Sequence, residues 1–409
     1  MLPMSMLDWR RPFSRRTSVP EHPPERKAAA LALVTGGGRA VWSSRNFEAL
    51  VREGFAKNAV VYRCVRMVAE AAASVPLVAF AGGEKVGADH PVARLLERPN
   101  PEQGGADLLE AFYGALQVSG NGYLECVGAP STPTRLDASR RATLPTSGEG
   151  EACELYTLRP ERMAVVPGER GWAEAYEYSV GGRTVRIGPD AEGWMPVLHL
   201  KLFNPTDDHY GFPPLEAAAF AVDVHNASGA WNKALLDNAA RPSGALVYGA
   251  GQPLSAEQFE RLKANLQAAH GGYENAGRPM LLEGGLDWKP MSMSPADMDF
   301  VSGKHAAARE IALAFGVPPQ LLGIPGDATY SNYKEANTAF WRGTAAPLAQ
   351  RTAWALTAWL EPKLPGLRIA ADLEAVPALS AEREALWARL EAASFLSVEE
   401  RRRMAGVAG

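Results

Sequence analysis

The sequence predicts an α+β protein in which a mixed helix and strand region precedes a set of long helices. Helical spacing begins at Asn58, where apolar residues three and four positions apart form one face up to Val75. Residues 155–202 instead alternate apolar and polar side chains in short runs between glycine turns, which is typical of antiparallel strands. From Pro213 onward, two long helical segments flank a compact insertion.

Composition sets the outer bounds. A chain of 409 residues, 46% hydrophobic and 22% charged, resembles an ordinary soluble protein of two or three domains. No apolar run reaches the ~20 residues that a transmembrane helix needs. The three cysteines, Cys64, Cys126 and Cys153, lack motif spacing, which argues against a disulfide framework or a zinc site and suits a reducing cytoplasm. The net charge of -4 is unlike that of a protein that grips nucleic acid tightly, because such binding depends on neutralising phosphates.

Residues 1–40 are rich in arginine, proline and glycine and show little periodicity. A flexible N-terminal arm is therefore predicted, and a basic arm that touches DNA is the alternative. Prolines rather than a continuous apolar core follow the arginines, so the segment does not resemble a signal peptide.

The region up to residue 212 is predicted to mix helices and strands. The first helix ends at Pro76, and two more begin at His90 and near Leu108. Residues 128–152 are poor in apolar side chains and are expected to form a surface loop. The predicted strands are 77–80, the run after Gly122, 155–166, 175–180, 184–187 and 196–202.

Adjacent acidic residues follow the last of these strands. Asp207, Asp208 and His209 suggest a metal or acid–base cluster at first sight. Consecutive loop residues rarely converge on one ion without further carboxylates, however, and none is nearby in sequence. A turn or a helix entry is the preferred interpretation.

Two long helices dominate the next region. Pro213-Pro214 begins a helix to about residue 240, whose small residues favour close helix contacts. Ser294 caps a second helix that Gly316 and the prolines after it end. Between them lies a compact insertion of strands around a helix capped by Ser255. An element held on two helices indicates a projecting subdomain.

A polar loop rich in helix breakers, residues 324–333, follows the second long helix. Asn332 and Glu335 are predicted to cap a helix of residues 334–361, which Pro347 should bend because it removes one intrahelical bond. The simpler interpretation of this region is that two core helices are joined by a surface loop. Residues 363–376 are expected to be irregular, and Ser380 and Ser397 to begin two final helices.

Motifs of several enzyme classes are absent from the sequence. Ser302-Gly303-Lys304 lies inside a helix and lacks the upstream glycine of a phosphate-binding loop. There is no His-Glu-x-x-His, no Cys-x-x-Cys and no Gly-x-Ser-x-Gly. No cofactor, metal or catalytic residue is predicted.

Several segments in a fixed order carry a resemblance to a known family. They are Tyr62-Arg63-Cys64, His90-Pro91 to Pro99-Asn100-Pro101, Gly120-Asn121-Gly122-Tyr123, Tyr210-Gly211-Phe212-Pro213-Pro214-Leu215-Glu216, Asn238 to Gly244, Met280 to Gly285, and Phe315 to Gly323 with Thr329-Tyr330-Ser331-Asn332. Together they cover about residues 58–362, and the chain resembles the portal proteins of long-tailed phages and of gene transfer agents.

The resemblance implies a fold with an α/β wing, a two-helix stem, a small α/β clip, a tunnel loop with a long kinked helix, and a short helical crown. The implied division is an arm (1–40), wing (41–212), stem helix (213–240), clip (241–293), stem helix (294–316), tunnel loop region (317–333), wing with the kinked helix (334–376) and crown (377–409).

The resemblance also implies a function without catalysis. Twelve copies would form a ring at one capsid vertex, through which double-stranded DNA is packaged and ejected. The implied partners are the major capsid protein, the large terminase subunit and then the head–tail adaptor, with assembly in the host bacterial cytoplasm and no membrane. The residues expected to face DNA are Asp327, Ala328, Thr329, Tyr330, Ser331 and Asn332.

No lysine or arginine lies between Ile324 and Tyr333, so this loop would touch a duplex without neutralising its phosphates. Two alternatives remain. One is another ring protein of the same particle, such as a head–tail adaptor. The other is a metal-dependent nuclease that uses Asp207, Asp208 and His209. Whether the particle is an infectious phage or a gene transfer agent stays open.

Overall fold

The computed structural model describes residues 46–128, 153–237, 244–248, 286–290, 300–325 and 330–405, with single positions between 255 and 264. The helices with described bounds are α1 (Phe47–Leu50), α2 (Ala59–Ala73), α3 (Pro91–Glu97), α4 (Gly105–Ser119), α5 (Pro214–Ala217), α6 (Ala219–Asp237), α7 (Phe300–Ala314), α8 (Tyr330–Phe340), α9 (Ala346–Leu360), α10 (Ser380–Ala392) and α11 (Val398–Met404). Two π-helical segments, Val51–Ala56 and Trp341–Ala345, follow α1 and α8.

The strands of the described residues form four small antiparallel sheets. They are β1 (Leu77–Ala81), β2 (Glu84–Lys85), β3 (Asn121–Gly128), β4 (Cys153–Leu158), β5 (Met163–Pro167), β6 (Ala173–Val180), β7 (Arg183–Ile187), β8 (Val197–Lys201), β9 (Gly244–Tyr248), β10 (Leu286–Pro290) and β11 (Leu367–Ala371). The strand orders are β11-β1-β2, β4-β3-β8, β5-β6-β7 and β10-β9. This mixed helix and strand architecture confirms the predicted α+β class.

Helix α2 forms where the sequence predicts it. The side chain of Asn58 accepts hydrogen bonds from the backbone N–H groups of Val60 (3.0 Å) and Val61 (3.2 Å), and so caps the first turn. All of the residues predicted to share its inner face are buried: Val61, Cys64, Val65, Val68, Ala72 and Val75. Burial also raises the pKa of the Cys64 thiol to about 12, because the thiolate loses hydration.

Of the four hydrophobic clusters among the described residues, the two largest organise the helices. One joins α4, the β4-β3-β8 sheet, α9 and β11, with Phe112, Leu116 and Leu124 almost fully buried. In the other, α2 packs against four elements around Leu215 and Ile311: α5, α6, α7 and the end of α8. The second core fixes the long helices α6 and α7 to α2.

Several features differ from the sequence-based predictions. Residues 363–376 are not simply irregular, because β11 pairs antiparallel with β1. The predicted helix from Pro213 is divided at Ala218 into α5 and α6. Helix α7 buries Ala307, Ala308, Ile311 and Ala312, whereas Val301 near its start is 62% exposed.

The expectation of no disulfide is wrong for two cysteines. Cys126 of β3 is bonded to Cys153 of β4, and their Cα atoms lie 6.0 Å apart. The two strands pair directly, with Gly128 opposite Cys153, so residues 27 positions apart in sequence become neighbours. Sequence spacing alone could not reveal this contact.

Other predictions fall outside the described residues. These include the arm at 1–40, all but the first residue of the 128–152 loop, the start of the helix predicted from Ser294, and much of the insertion. Within the insertion, β9 and β10 pair with Tyr248 opposite Leu286. Ser255 and Gln258 exchange the reciprocal hydrogen bonds of a capping box, which confirms the predicted cap.

Candidate functional site

The loop predicted to face DNA lies between α7 and α8. Asp327, Ala328 and Thr329 lie outside the described residues. Tyr330, Ser331 and Asn332 form the first turn of α8, so the loop is shorter than predicted. The predicted capping box of Asn332 and Glu335 is therefore wrong, because the helix begins two residues before Asn332.

The start of this loop is held by Arg309, which the sequence did not single out. A 3-10 turn, Pro319–Leu322, ends at Gly323, whose φ of +68° is the left-handed conformation that glycine adopts readily. Arg309 of α7 then donates a hydrogen bond from Nη2 to the carbonyl oxygen of Pro325. No sequence motif joins these positions, since they meet only through the turn at the end of α7.

Arg309 also changes the charge expected near the loop. The side chains of Arg309 and Lys334 are both exposed, and they flank a segment that contains no lysine or arginine of its own. A guanidinium group has five N–H donors, and the bond to Pro325 uses one of them. Two exposed cationic side chains, Arg309 beside Pro325 and Lys334 in α8, thus accompany the described ends of the loop.

The exit from the loop runs through α8 into the π-helical segment Trp341–Ala345 and then α9. Pro347 lies in the first turn of α9, directly after this departure from α geometry, and the bend expected at Pro347 stays a prediction. The hydroxyl of Thr344 donates to the carbonyl of Gly316 at 2.7 Å. This bond ties the π-helical segment to the end of α7.

Gly316 itself has little room for a side chain. Its φ is +65°, and a Cβ atom there would lie 2.7 Å from the Thr344 hydroxyl oxygen. The predicted stop of α7 at this glycine is confirmed, with the N–H of Val317 bonded to the carbonyl of Ala312 at 2.9 Å.

The cluster proposed for a nuclease is a folded turn. Asp207 Oδ1 accepts hydrogen bonds from the backbone N–H groups of His209 (2.7 Å) and Tyr210 (3.0 Å), and these bonds lower the pKa of its carboxyl group. Lys201 donates to the backbone carbonyl of Asp208, not to its carboxylate. Across the described residues, no group of three histidine, cysteine or acidic side chains is placed to hold a metal ion.

Two of the segments that carry the family resemblance meet at this turn. Asn121 Oδ1 accepts from the N–H of Gly211 at 2.8 Å and lies 2.9 Å from His199 Nε2. A Cβ atom on Gly120 would lie 2.4 Å from the carbonyl oxygen of Gly211. The glycines at 120 and 211 are therefore required by a close backbone contact, which links the start of β3 to the segment before α5.

The turn is also tied to the β5-β6-β7 sheet. The hydroxyl of Tyr210 accepts a hydrogen bond from the N–H of Val165 at 2.9 Å. Asn204 closes the turn by donating to the carbonyl of Tyr210 at 2.9 Å. The side chains of Asn204, Asp207 and Tyr210 all bond to the backbone, so the turn is a structural junction.

Comparisons with known proteins agree on one family. A family model described as phage portal protein matches residues 59–406. An uncharacterised protein of Rickettsia bellii (strain RML369-C) is 41% identical over 361 residues, which are 87% of this chain and 88% of that protein. The portal protein of Enterobacteria phage HK97 is 25% identical over 315 residues, with 74% of this chain and 66% of that protein covered.

A solved structure extends the comparison to an assembled particle. A chain in the neck of a native gene transfer agent particle, computed with C12 symmetry, is 51% identical and superimposes with a TM-score of 0.64, covering 92% of this chain and 97% of that chain. In the described part of this chain, no helix is both long enough and apolar enough to cross a membrane.

Proposed function

The chain belongs to the phage portal protein family, and from that premise we propose that twelve copies form a ring channel at one vertex of a capsid. Double-stranded DNA enters through the channel during packaging and leaves through it during ejection. The observation that carries the proposal is the match to a chain in a twelvefold-symmetric particle neck along 92% of this sequence. A ring needs one copy of the chain for each symmetry-related position.

The candidate site contributes the DNA-facing surface. We assign residues 327–332 of each copy to the surface that meets DNA in the channel, together with the exposed cations Arg309 and Lys334. Repeated around the ring, these two cations form a band that neutralises part of the phosphate charge, while the loop itself adds only neutral side chains and Asp327. This combination lets DNA slide, because no copy holds the duplex tightly.

The helices α6 and α7 form the stem, and residues 241–293 form the clip at its end. The clip docks the large terminase subunit while DNA is packaged and the head–tail adaptor afterwards. Residues 41–212 and 334–376 form the wing that contacts the major capsid protein, and residues 377–409 form the crown. The protein assembles in the host bacterial cytoplasm and ends in the virion. The similarity to a gene transfer agent neck favours a particle of that kind.

Neither alternative gains support. A head–tail adaptor is less consistent with a portal family match that spans residues 59–406. Among the described residues, no metal site supports a nuclease centred on Asp207. The Asp207 carboxylate also accepts hydrogen bonds from two backbone N–H groups. Portal proteins are structural, and we assign this chain no catalytic residue, cofactor or metal.

The experiment is complementation of a particle-producing strain from which the gene has been deleted. A variant with residues 327–332 replaced by a glycine–serine segment should assemble rings and capsids but yield few DNA-filled particles. The matched control places the same kind of segment in the exposed turn 168–171. Full DNA content in particles of the loop variant would contradict the proposed role of the loop.

A further inference from the structure

A buried polar contact joins the long helix α6 to the start of α2. Asn58, the cap of α2, is 2% exposed, and its amide nitrogen donates a hydrogen bond to Asn226 Oδ1 of α6 at 2.9 Å. The same nitrogen lies 3.1 Å from Nδ1 of His225, the residue before Asn226. Asn226 in turn donates to the backbone carbonyl of Glu53, in the π-helical segment after α1, at 2.8 Å. We call Glu53, Asn58, His225 and Asn226 the α6–α2 junction.

The cap of α2 fixes which way the Asn58 amide faces. Its Oδ1 accepts hydrogen bonds from the N–H groups of Val60 and Val61, so Nδ2 is the atom that faces α6. Exchanging the two ends of the amide would place an NH₂ group against two N–H donors. One hydrogen of Nδ2 goes to Asn226, and the other is left for His225. Nδ1 of His225 must therefore accept, and the ring proton of the neutral imidazole lies on Nε2.

A second proton on His225 is incompatible with this arrangement. An imidazolium ring carries an N–H group on each nitrogen, so Nδ1 would become a donor that faces the Asn58 NH₂ group at 3.1 Å. The Asn58 amide cannot turn over to offer its oxygen without giving up the cap of α2. Protonation of His225 therefore breaks either its contact with Asn58 or the cap.

Two cationic side chains of α7 oppose this protonation. The Lys304 ammonium nitrogen would lie 3.8 Å from a Cβ atom on Gly229, which follows His225 by one turn of α6. Burial, together with the nearby charges of Lys304 and His305, lowers the pKa of His225 below its ordinary value of 6.5. The junction is therefore closed at neutral pH.

The carboxylates near the junction belong to the π-helical segment and to α6 itself. Glu53 is paired with Arg52 at 3.0 Å and with Lys57 at 2.9 Å. Asp223 lines a small cleft beside Glu53, two residues before His225 in α6. Residues two positions apart do not face each other on a helix, so Asp223 and His225 lie on different sides of α6.

We propose that the α6–α2 junction is a pH-sensitive latch, which is closed while His225 is neutral and opens when His225 binds a second proton. Every contact of the latch lies within one chain, so it works whether or not the chain forms a ring. The closed latch ties α6 to the π-helical segment and to the cap of α2. The open latch frees the cap of α2, while the second core still holds the helices together.

The test is hydrogen exchange of the full-length chain, measured by mass spectrometry at several pH values between about 8 and about 4.5. The reporters are the amides of Val60 and Val61, whose N–H groups are bonded to the Asn58 oxygen. Exchange is expressed relative to an unstructured peptide of the same sequence at each pH, so that the effect of pH on the exchange chemistry cancels. Thermal unfolding at each pH distinguishes opening of the latch from unfolding of the whole chain.

Three variants isolate the role of His225. His225→Gln keeps an acceptor oxygen for Asn58 but does not titrate. His90→Gln is the matched control, because His90 caps a different helix, α3, through its own Nδ1. Lys304→Met leaves the contacts of the junction in place and removes one of the charges that oppose protonation.

We expect the reporter amides of the wild type and of His90→Gln to lose protection at least about tenfold as the pH falls below 6.5, and those of His225→Gln to keep it. Lys304→Met should move this loss to a higher pH, and it decides the matter even if His225→Gln does not fold. Equal losses in the wild type and His225→Gln would overturn the latch, as would a loss at the same pH in the wild type and Lys304→Met.

Discussion

His199 should make the stability of this protein depend on pH in a defined window. Its ring stacks on Tyr123 with the centroids 4.2 Å apart, and Nε2 lies 2.9 Å from Asn121 Oδ1. Burial, with smaller effects from Lys201 and His209, lowers the pKa of His199 from 6.5 to about 3. The folded state therefore keeps the imidazole neutral, whereas the unfolded chain binds a proton below pH 6.5. Stability that is present above pH 6.5 is lost as the pH falls towards 3.

The size of the effect follows from the pKa difference. A shift of one pKa unit corresponds to about 1.4 kcal/mol. At about pH 5 the unfolded side chain is almost fully protonated and the folded one almost fully neutral. His199 alone should then lower the free energy of unfolding by about 2 kcal/mol relative to about pH 7.5.

The assay is urea unfolding followed by tryptophan fluorescence at both pH values, for the wild type and for His199→Gln. Glutamine keeps an N–H donor for Asn121 but does not titrate. Other groups, including His225, titrate in both proteins and cancel in the comparison. The wild type should lose about 2 kcal/mol more than the variant between the two pH values. Equal losses would refute the reasoning.

Three further substitutions test the packing by thermal unfolding. Gly120→Ala should destabilise the fold by more than the ~1–2 kcal/mol expected for a left-handed residue, because the added Cβ atom meets a carbonyl oxygen. The control Gly171→Ala, at φ +80° with open space around it, should cost only that ~1–2 kcal/mol. Equal costs for the two variants would exclude the clash. Lys363→Met should lower the free energy of unfolding by about 1–3 kcal/mol, because it removes the ammonium group that lies 2.7 Å from the Asp190 carboxylate. An unchanged midpoint of thermal unfolding would show that the ion pair is dispensable. Thr344→Val should cost about 1 kcal/mol by breaking the bond to the end of α7, and no loss would mean that this tie does not stabilise the chain.

The sequence predicts those elements whose defining residues lie close together in the chain. The start of α2 at Asn58, its inner face and the stop of α7 at Gly316 depend on residues within one or two helical turns, and all three are confirmed. The capping pair of Ser397 and Glu400 is also present, with the Ser397 N–H bonded to the Glu400 carboxylate at 2.8 Å. Short-range spacing carries this information because caps and helix faces repeat within a few residues.

Contacts between distant segments explain what the sequence does not predict. Strand β11 is held by β1, with Leu77 opposite Ala371, so no local pattern identifies it. Arg309 reaches Pro325 only because α7 ends in a turn that brings the loop back beside it. The Cys126–Cys153 pair likewise depends on strand register. The DNA-facing role of residues 327–332 remains a prediction.

The most direct test of the ring channel is electron microscopy of the purified full-length protein with rotational class averaging. We expect closed rings with twelvefold symmetry and a central opening, with α6 and α7 beside that opening. Monomers at all concentrations, or closed assemblies without a central opening, would contradict this expectation.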